Sequence, residues 1–356
     1  MYKIEWTDKM EELLGSYHTF ILEVLDFVKQ EPLFLEKKDS DMDEILKRIK
    51  ELKSDKNCTY NFLNIATKTN LKEYICNLKY ENIDLLSKYN EIVTNYENFL
   101  SYTWQDNTKY SNEVKQAFEY FYKDLINSEV FNKTFNTISA LKEFRDELTL
   151  RSTCPYCDHN EMEFDSASVD HFIPKSQYPL LSIFPKNLVV SCTACNDRIK
   201  KEKLHLPIMH PYFNNLDDYF YFTYKNKVIN IEFYDYVSLE NQKKVNNFLK
   251  LFKLEYRYNK YCKEKLDRLK SGIQRNVIKQ IKGVQNISTD EIENRVKEEI
   301  YDLYVEISKY KKQDALTKLR LDYLKQLSKE DLSDLIMYID YENRDNILSA
   351  FSAALK

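Results

Sequence analysis

Glycine is nearly absent from this chain, which has 3 glycines in 356 residues. Proline is also scarce, and six of its 7 residues lie between 155 and 211: Pro155, Pro174, Pro179, Pro185, Pro207 and Pro211. So little glycine favours a compact, mainly helical protein over a loop-rich or disordered chain. The proline-rich stretch indicates an irregular module placed between two helical regions.

Long apolar runs are missing as well. No stretch of about 18 apolar residues occurs, and the first residues, MYKIEWTDKMEELL, lack the basic start and apolar core of a signal peptide. We therefore expect a soluble, cytoplasmic protein without a membrane partner. The net charge of -4 gives no overall positive field for nucleic acid, so any such binding must be local or supplied by a partner.

Hydrophobic periodicity predicts the organisation of the chain. In EVKQAFEYFYKDLI, at 113–126, the apolar residues fall on one helix face, and the rest of the N-terminal part is similar. Alternating residues around a Lys225-Asn226 turn predict a β-hairpin at about 219–234. We expect a mainly α fold with a small α+β insert, divided into a helical N-terminal region, a central module with the hairpin, and a helical C-terminal region: 1–150, 151–236 and 237–356.

Four of the seven cysteines form two C-x2-C pairs, separated by 34 residues: Cys154 and Cys157, then Cys192 and Cys195. Two such pairs supply the four thiolates that a structural zinc ion prefers. A redox C-x2-C is the alternative, but CPYC here lacks the strand-helix context of a thioredoxin. The sequence therefore predicts a structural Zn²⁺ site.

The segment 169–200 begins between the two cysteine pairs and includes the second pair: VDHFIPKSQYPLLSIFPKNLVVSCTACNDRIK. The order Asp-His, Asn-Leu, Cys-x2-Cys-Asn and a following lysine resembles the HNH, or ββα-metal, endonucleases. The resemblance implies that His171 is the general base, that Asp170 and Asn196 hold a catalytic Mg²⁺ or Mn²⁺, and that Asn187 orients the histidine and braces its loop. The family often has histidine where this chain has Asn196, and an amide oxygen suits a hard cation.

The same residues make chemical sense for phosphodiester hydrolysis. An imidazole activates water near neutral pH, and a carboxylate with an amide oxygen holds a cation while leaving positions open for water and phosphate. Adjacent residues of a regular strand point to opposite faces, so Asp170 and His171 can serve one site only through a local distortion or a position at the end of the strand. Since Asn196 follows Cys195, zinc would fix the start of the metal-binding helix relative to the histidine.

Basic residues near this motif are candidates for phosphate contacts. Residues 253–282 contain ten lysines and arginines against three acids, but the charges run round the helix, so a DNA-holding arm and a solvated face both stay open. His210 either touches a phosphate or packs in the core. The candidate nucleic-acid-binding residues are Lys175, Arg198, Lys200, Lys201, Lys260, Arg268 and Lys279.

Three functions are compatible with these residues. The first is a metal-dependent endonuclease acting on DNA; the second is a non-catalytic zinc module that binds nucleic acid or protein; the third gives the helical flanks a docking role. The segments DHF-PKS-YP and HPYF look like those of bacterial HNH effectors of antiphage systems such as the Septu type, which implies a partner ATPase. The presence of Asp170, His171, Asn187 and Asn196 together favours the endonuclease.

Overall fold

Helices make up most of the described chain, and this confirms the predicted mainly α fold with small β elements. The computed structural model describes residues 2–30, 43–44, 47–48, 60–137, 139–149, 153–159, 162, 166–282, 284, 286–311 and 313–354. Within these ranges the strands form two separate two-stranded sheets. No helix in the same ranges has both the length and the apolar character needed to cross a membrane.

The N-terminal part packs its helices around a core rich in aromatic side chains. Ser111 begins the helix predicted at 113–126, because its Oγ accepts a hydrogen bond from Val114 N at 3.1 Å, a cap that contributes about 1 kcal/mol. Phe118 and Phe121 are fully buried on the apolar face of this segment. The helices are α1 (Asp8–Gln30), α2 (Tyr60–Lys68), α3 (Leu71–Leu78), α4 (Leu85–Thr94), α5 (Tyr96–Leu100), α6 (Asn112–Tyr120) with a π-helical turn (Phe121–Leu125), α7 (Glu129–Thr134) and α8 (Ala140–Thr149).

The central part is two strands followed by a short helix. Strand β1 pairs antiparallel with β2, with Ala167 opposite Cys192 and His171 opposite Leu188. Proline starts both 3-10 turns on the connection, since its fixed φ suits a first helical position. The elements are β1 (Ala167–His171), the 3-10 turns Pro179–Ile183 and Pro185–Asn187, β2 (Leu188–Cys192) and a π-helix (Ala194–Lys200).

The predicted hairpin is present as β3 (Phe220–Lys225) and β4 (Val228–Phe233), after a 3-10 turn at Leu216–Asp218. Its turn lies at Asn226 and Lys227, one residue later than predicted. Both have positive φ, 50° and 61°, as a type I′ hairpin turn requires. The pattern of alternating residues sets the strands but does not fix a turn position to one residue.

The C-terminal part is again helical, as expected. Its fourth helix begins at Ser288, whose Oγ accepts from Glu291 N at 3.2 Å. The helices are α9 (Leu239–Leu251), α10 (Leu254–Tyr261), α11 (Lys263–Ile281), α12 (Thr289–Lys309), α13 (Thr317–Leu327) and α14 (Ser333–Ala354).

Buried polar contacts tie the C-terminal helices to the central part. The hydroxyl of Tyr258 donates to the carbonyl of Cys157 at 2.7 Å. Lys318 is fully buried, and its Nζ lies 2.6 Å from Asp217 Oδ1. Such contacts hold the central part against its neighbours, and the predicted division into three regions stays a prediction.

Candidate functional site

The four paired cysteines come together at one point, as their spacing predicts. Their Sγ atoms all lie within 4.8 Å of one another, and all four side chains are buried. Tetrahedral zinc with Zn–S distances of about 2.3 Å would separate its sulfurs by about 3.8 Å, and Cys157 Sγ lies 4.0 Å from Cys192 Sγ. The cluster could therefore bind zinc with little rearrangement.

A cation already faces this cluster from the C-terminal region. Arg257 Nη1 donates to Cys195 Sγ at 3.2 Å, and the positive charge offsets part of the negative charge that four thiolates place on a zinc site. Hydrogen bonding from Cys154 lowers the pKa of Cys157 to about 7, whereas burial raises the pKa of Cys154 well above its usual value. Cys157 is therefore the more readily deprotonated of the two, and a deprotonated thiol is the form that binds metal. Sequence reasoning counted Arg257 only as one of many basic residues, because nothing local linked it to a cysteine 62 positions away.

The second feature is a cleft of about 360 Å³ between the end of β1 and the π-helix. It is lined by three residues that the sequence predicted for the site: Asp170, His171 and Asn196. β1 carries the first two residues, and the π-helix, which follows directly from the cysteine-bearing end of β2, carries the third. The full lining is Val169, Asp170, His171, Pro174, Lys175, Asn196, Asp197, Lys201 and Glu202.

His171 is held as a neutral imidazole. Its Nε2 lies 3.1 Å from the carbonyl oxygen of Ser182, and because a carbonyl only accepts, Nε2 carries the proton and Nδ1 keeps a free lone pair. The ring of Tyr122 packs edge-on against the ring of His171, with 4.3 Å between the two ring centroids. Burial, with a smaller contribution from Lys175, lowers the pKa of His171 to about 3. At neutral pH the ring is therefore unprotonated, as a general base must be before it takes a proton.

Asn187 is fully buried and uses all its hydrogen-bonding capacity. Its Nδ2 donates to the carbonyls of Ile173 and Leu181, each at 3.0 Å. Its Oδ1 accepts from Ile173 N at 2.7 Å and from the hydroxyl of Tyr96 at 2.8 Å. The side chain therefore holds the loop that follows His171 and does not line the cleft.

Tyr96 and His210 extend this support behind the loop. His210 Nδ1 accepts from Tyr212 N at 3.2 Å, which leaves Nε2 as the donor towards the Tyr96 hydroxyl at 3.4 Å. The ring of His210 is buried, and burial lowers its pKa to about 3. Of the two alternatives for His210, the structure shows the packing one. The sequence does not single out Tyr96, because nothing at its position indicates a contact with Asn187.

Removing the Tyr96 hydroxyl should destabilise the protein. Tyr96→Phe leaves Nε2–H of His210 buried without an acceptor and takes one donor from Asn187, so we expect a loss of about 1–3 kcal/mol in the free energy of unfolding. Urea denaturation measures it. The matched control is Tyr17→Phe, because the Tyr17 hydroxyl is buried without a hydrogen-bond partner in the described part of the chain. Equal stability of the two variants would contradict the support role.

Asp170 is buried, and both of its oxygens accept hydrogen bonds. Lys200 Nζ lies 2.8 Å from Oδ1, and the hydroxyl of Tyr156 donates to Oδ2 at 2.7 Å. Burial raises the pKa of Asp170 above its usual value, while Lys200 and Tyr156 offset part of the rise. Tyr156 lies in the first cysteine pair, so one hydrogen bond joins the cysteine cluster to this carboxylate.

Lys200 corrects one expectation. We predicted a phosphate contact for it, but its side chain has no exposed surface, and a buried ammonium does not reach a phosphate in this conformation. From the sequence alone, the basic run RIKKEK at 198–203 favours either a phosphate contact or a solvated face. The π-helix instead turns Lys200 inward and leaves Arg198 exposed.

The donor atoms at the cleft fit a divalent cation. Asn196 Nδ2 donates to Ser168 Oγ at 2.9 Å, while its Oδ1 has no hydrogen-bond partner in the part of the chain that the structure describes. A carboxylate has about four acceptor positions, and Asp170 uses two of them within the protein. One amide oxygen and one carboxylate are oxygen ligands of the kind that Mg²⁺ and Mn²⁺ prefer.

The candidate phosphate-binding residues fall into two groups. Lys175 and Lys201 line the cleft itself. Arg198 lines a neighbouring cavity of about 390 Å³ on the π-helix, together with Lys253 and residues of α10. Lys260, Arg268 and Lys279 are exposed on α10 and α11 and do not line the cleft.

Comparison with known families adds the decisive observation. The segment that contains the cysteine cluster, β1, β2, the π-helix and the cleft matches the HNH endonuclease family model over residues 154–202. These residues form an HNH endonuclease domain. The comparisons with curated proteins and with solved structures gave no match.

The HNH domain indicates a nuclease, whose substrate is nucleic acid and whose chemistry uses a divalent metal. Its cysteine cluster could hold zinc. The match begins at 154 and ends at 202, so it covers none of the helices of the N-terminal and C-terminal parts.

Proposed function

We propose that this chain is a divalent-metal-dependent endonuclease that hydrolyses phosphodiester bonds in DNA. The observation that supports it best is the convergence of Asp170, His171 and Asn196 on one cleft inside the HNH domain. A non-catalytic zinc module would have no need for a neutral, oriented imidazole beside a buried carboxylate and a free amide oxygen. In this proposal His171 is the general base, Asp170 and Asn196 hold Mg²⁺ or Mn²⁺, and Asn187 holds the loop after the base.

The chain's own residues divide the work of hydrolysis. His171, whose Nδ1 keeps its lone pair, takes the proton from the attacking water. Lys175 and Lys201, on the rim of the cleft, attract the phosphate. The cation, when bound, stabilises negative charge on the phosphate and the leaving oxygen. Zinc at Cys154, Cys157, Cys192 and Cys195 fixes the π-helix, and with it Asn196, against β2.

We also propose that nucleic acid extends from the cleft over the π-helix to α10 and α11. Arg198 and Lys253 are exposed, and they line one cavity with the exposed Tyr256 and Tyr261. Lys260 lies over both tyrosine rings, at 5.5 and 5.2 Å from their centroids. Cations beside exposed aromatic rings suit a phosphate backbone and its bases. This cavity connects the domain to the basic segment 253–282.

Charge reversal of that segment tests the surface. In a His171→Ala background, which should prevent cleavage, Lys260→Glu, Arg268→Glu and Lys279→Glu together should weaken binding to duplex DNA of any sequence. They should also flatten the plot of log affinity against log salt, by roughly one unit for each phosphate that the variant no longer binds. Fluorescence anisotropy at several salt concentrations measures both.

The matched control reverses three exposed cations of α12, Arg295, Lys297 and Lys309, with the same change in net charge. We expect a much smaller effect from it. An equal effect of the two triple variants would mean that DNA binding responds to net charge alone. The proposed nucleic-acid-binding surface on α10 and α11 would then be wrong.

The helical flanks are the candidate for a protein partner. We propose that they bind a regulatory ATPase in a cytoplasmic antiphage defence system, as the resemblance of the HPYF and DHF-PKS-YP segments implies. Exposed apolar side chains on the C-terminal helices support a docking role: Tyr301 on α12, and Met337 and Tyr341 on α14, are each at least two-thirds exposed. The test is the double variant Met337→Lys with Tyr341→Lys. If the amount of any co-purifying ATPase stays the same as for the wild type, that result argues against this docking surface.

The function itself is tested with three substrates. Purified protein is incubated with supercoiled plasmid, single-stranded DNA and RNA, in Mg²⁺ and in Mn²⁺. The proposal predicts that the plasmid is nicked or linearised. Cleavage of RNA alone would keep the nuclease and correct the substrate, and cleavage of none of the three would count against the isolated chain as an active nuclease.

A further inference from the structure

Lys200 sits in a cage of oxygen atoms. Its Nζ lies 2.8 Å from Asp170 Oδ1, 2.7 Å from the carbonyl oxygen of His171 and 3.4 Å from that of Lys201. These three acceptors use the three hydrogens of the ammonium. The side chain is fully buried, which lysine tolerates only when its charge is paired. One carboxylate and two carbonyls are also the oxygen donors that a hard metal cation takes.

The cage coincides with one end of the proposed metal site. Asp170 is both the partner of Lys200 and a residue proposed to hold the ion, and Asn196 lies four positions before Lys200 on the same π-helix. The second oxygen of Asp170 is taken by Tyr156. A divalent ion that binds Asp170 must therefore approach a carboxylate that already carries a buried cation.

Electrostatics makes it unfavourable for both cations to stay. An ammonium and a divalent ion on one carboxylate would lie a few ångströms apart in a poorly screened environment, where like charges repel strongly. The two cations cannot both be absent either, because a buried carboxylate without any partner is costly. The ammonium of Lys200 and the divalent ion are therefore suited to be alternative partners of the Asp170 carboxylate.

We propose that Lys200 is the resident counter-ion of Asp170 in the metal-free protein, and that the divalent ion displaces its ammonium from that carboxylate. The inference rests on the proposed metal site. Lys200 then keeps Asp170 in place before the ion arrives, and it lowers the affinity of the ion by the free energy of the ion pair that must be broken. Binding of metal and exposure of Lys200 are linked, so each measures the other.

Metal affinity gives the first test. Zinc-loaded Lys200→Met should bind Mn²⁺ about tenfold more tightly than the wild type, within the ~5- to 150-fold range of such couplings, by isothermal titration calorimetry. Lys201→Met is the matched control, because it removes the same charge from an exposed position on the same cleft, and its affinity should change much less. Equal or weaker binding of Mn²⁺ by Lys200→Met than by the wild type would overturn the proposal.

A second test needs no substitution at Lys200, in case that variant fails to fold. Wild-type protein is treated with an amine-acetylating reagent at increasing Mn²⁺, and each lysine is followed by mass spectrometry. Lys200 should be protected without Mn²⁺ and become reactive at saturating Mn²⁺, while Lys201 reacts throughout.

The outcomes separate the inference from the function on which it rests. If Mn²⁺ binds the wild type, binds Asn196→Ala more weakly, and leaves Lys200 protected, the metal site stands and the displacement is wrong. If Mn²⁺ binds neither the wild type nor Lys200→Met, the proposed metal site is wrong and the displacement falls with it.

Discussion

Replacing His171 with alanine should lower the rate of DNA cleavage by about 10²- to 10⁴-fold, the range typical of losing a general acid or base. The imidazole is neutral and oriented by Ser182, and alanine offers no group that accepts a proton from water. The loss should fall on the chemical step, because His171 takes its proton only as the reaction proceeds. Single-turnover cleavage of a labelled duplex measures it.

The control for this variant is His205→Ala. His205 is exposed and does not line the cleft, so its removal should leave the rate close to that of the wild type. DNA affinity and the circular dichroism spectrum of His171→Ala should also match the wild type. A His171→Ala variant that cleaves at the wild-type rate would exclude His171 as the base.

Replacing Cys192 with serine should remove the zinc and unfold the central part of the chain. Structural zinc contributes about 10–16 kcal/mol of binding free energy, which is comparable to the whole stability of a typical domain, about 5–15 kcal/mol. Cys192 ends β2 and Asn196 follows it on the π-helix, so the loss also releases a proposed metal ligand. The zinc content measured by elemental analysis should fall from about one ion per chain to none. Limited proteolysis should cut the chain in its central part.

Cys262→Ser controls for the loss of a buried thiol. Cys262 is buried but lies outside the cluster of four, so this variant should keep its zinc and its resistance to proteolysis. A Cys192→Ser protein that is folded, active and free of zinc would show that the cluster has no structural role.

The sequence was most informative where chemistry requires a fixed spacing. The two C-x2-C pairs predicted one cluster, and their four sulfurs do meet. The hairpin at 219–234 and the helix at 113–126 are present because alternation and helical periodicity are local properties. Asp170 and His171 would diverge in a regular strand, yet both line the cleft, and His171 stands at the last position of β1.

The contacts that sequence reasoning missed all join distant parts of the chain. Tyr96 meets Asn187 across 91 positions, and Arg257 meets Cys195 across 62. No periodic pattern marks such a partner, because it is set by how the helices pack around the domain. The inward orientation of Lys200 was missed for a different reason: in a run of basic residues, only the pitch of the π-helix decides which one turns inward.

The most direct test of the account is the metal dependence of DNA cleavage by the zinc-loaded wild-type protein. Bound divalent ions other than zinc are removed, and single-turnover cleavage of a labelled duplex is followed as Mg²⁺ is added, beside the same titration with Asn196→Ala. We expect no cleavage without Mg²⁺, a saturable rise in rate with Mg²⁺ for the wild type, and a rise for Asn196→Ala that needs much more Mg²⁺. Cleavage that is equally fast without Mg²⁺, or identical titrations for the two proteins, would contradict a metal-dependent HNH site at Asp170 and Asn196.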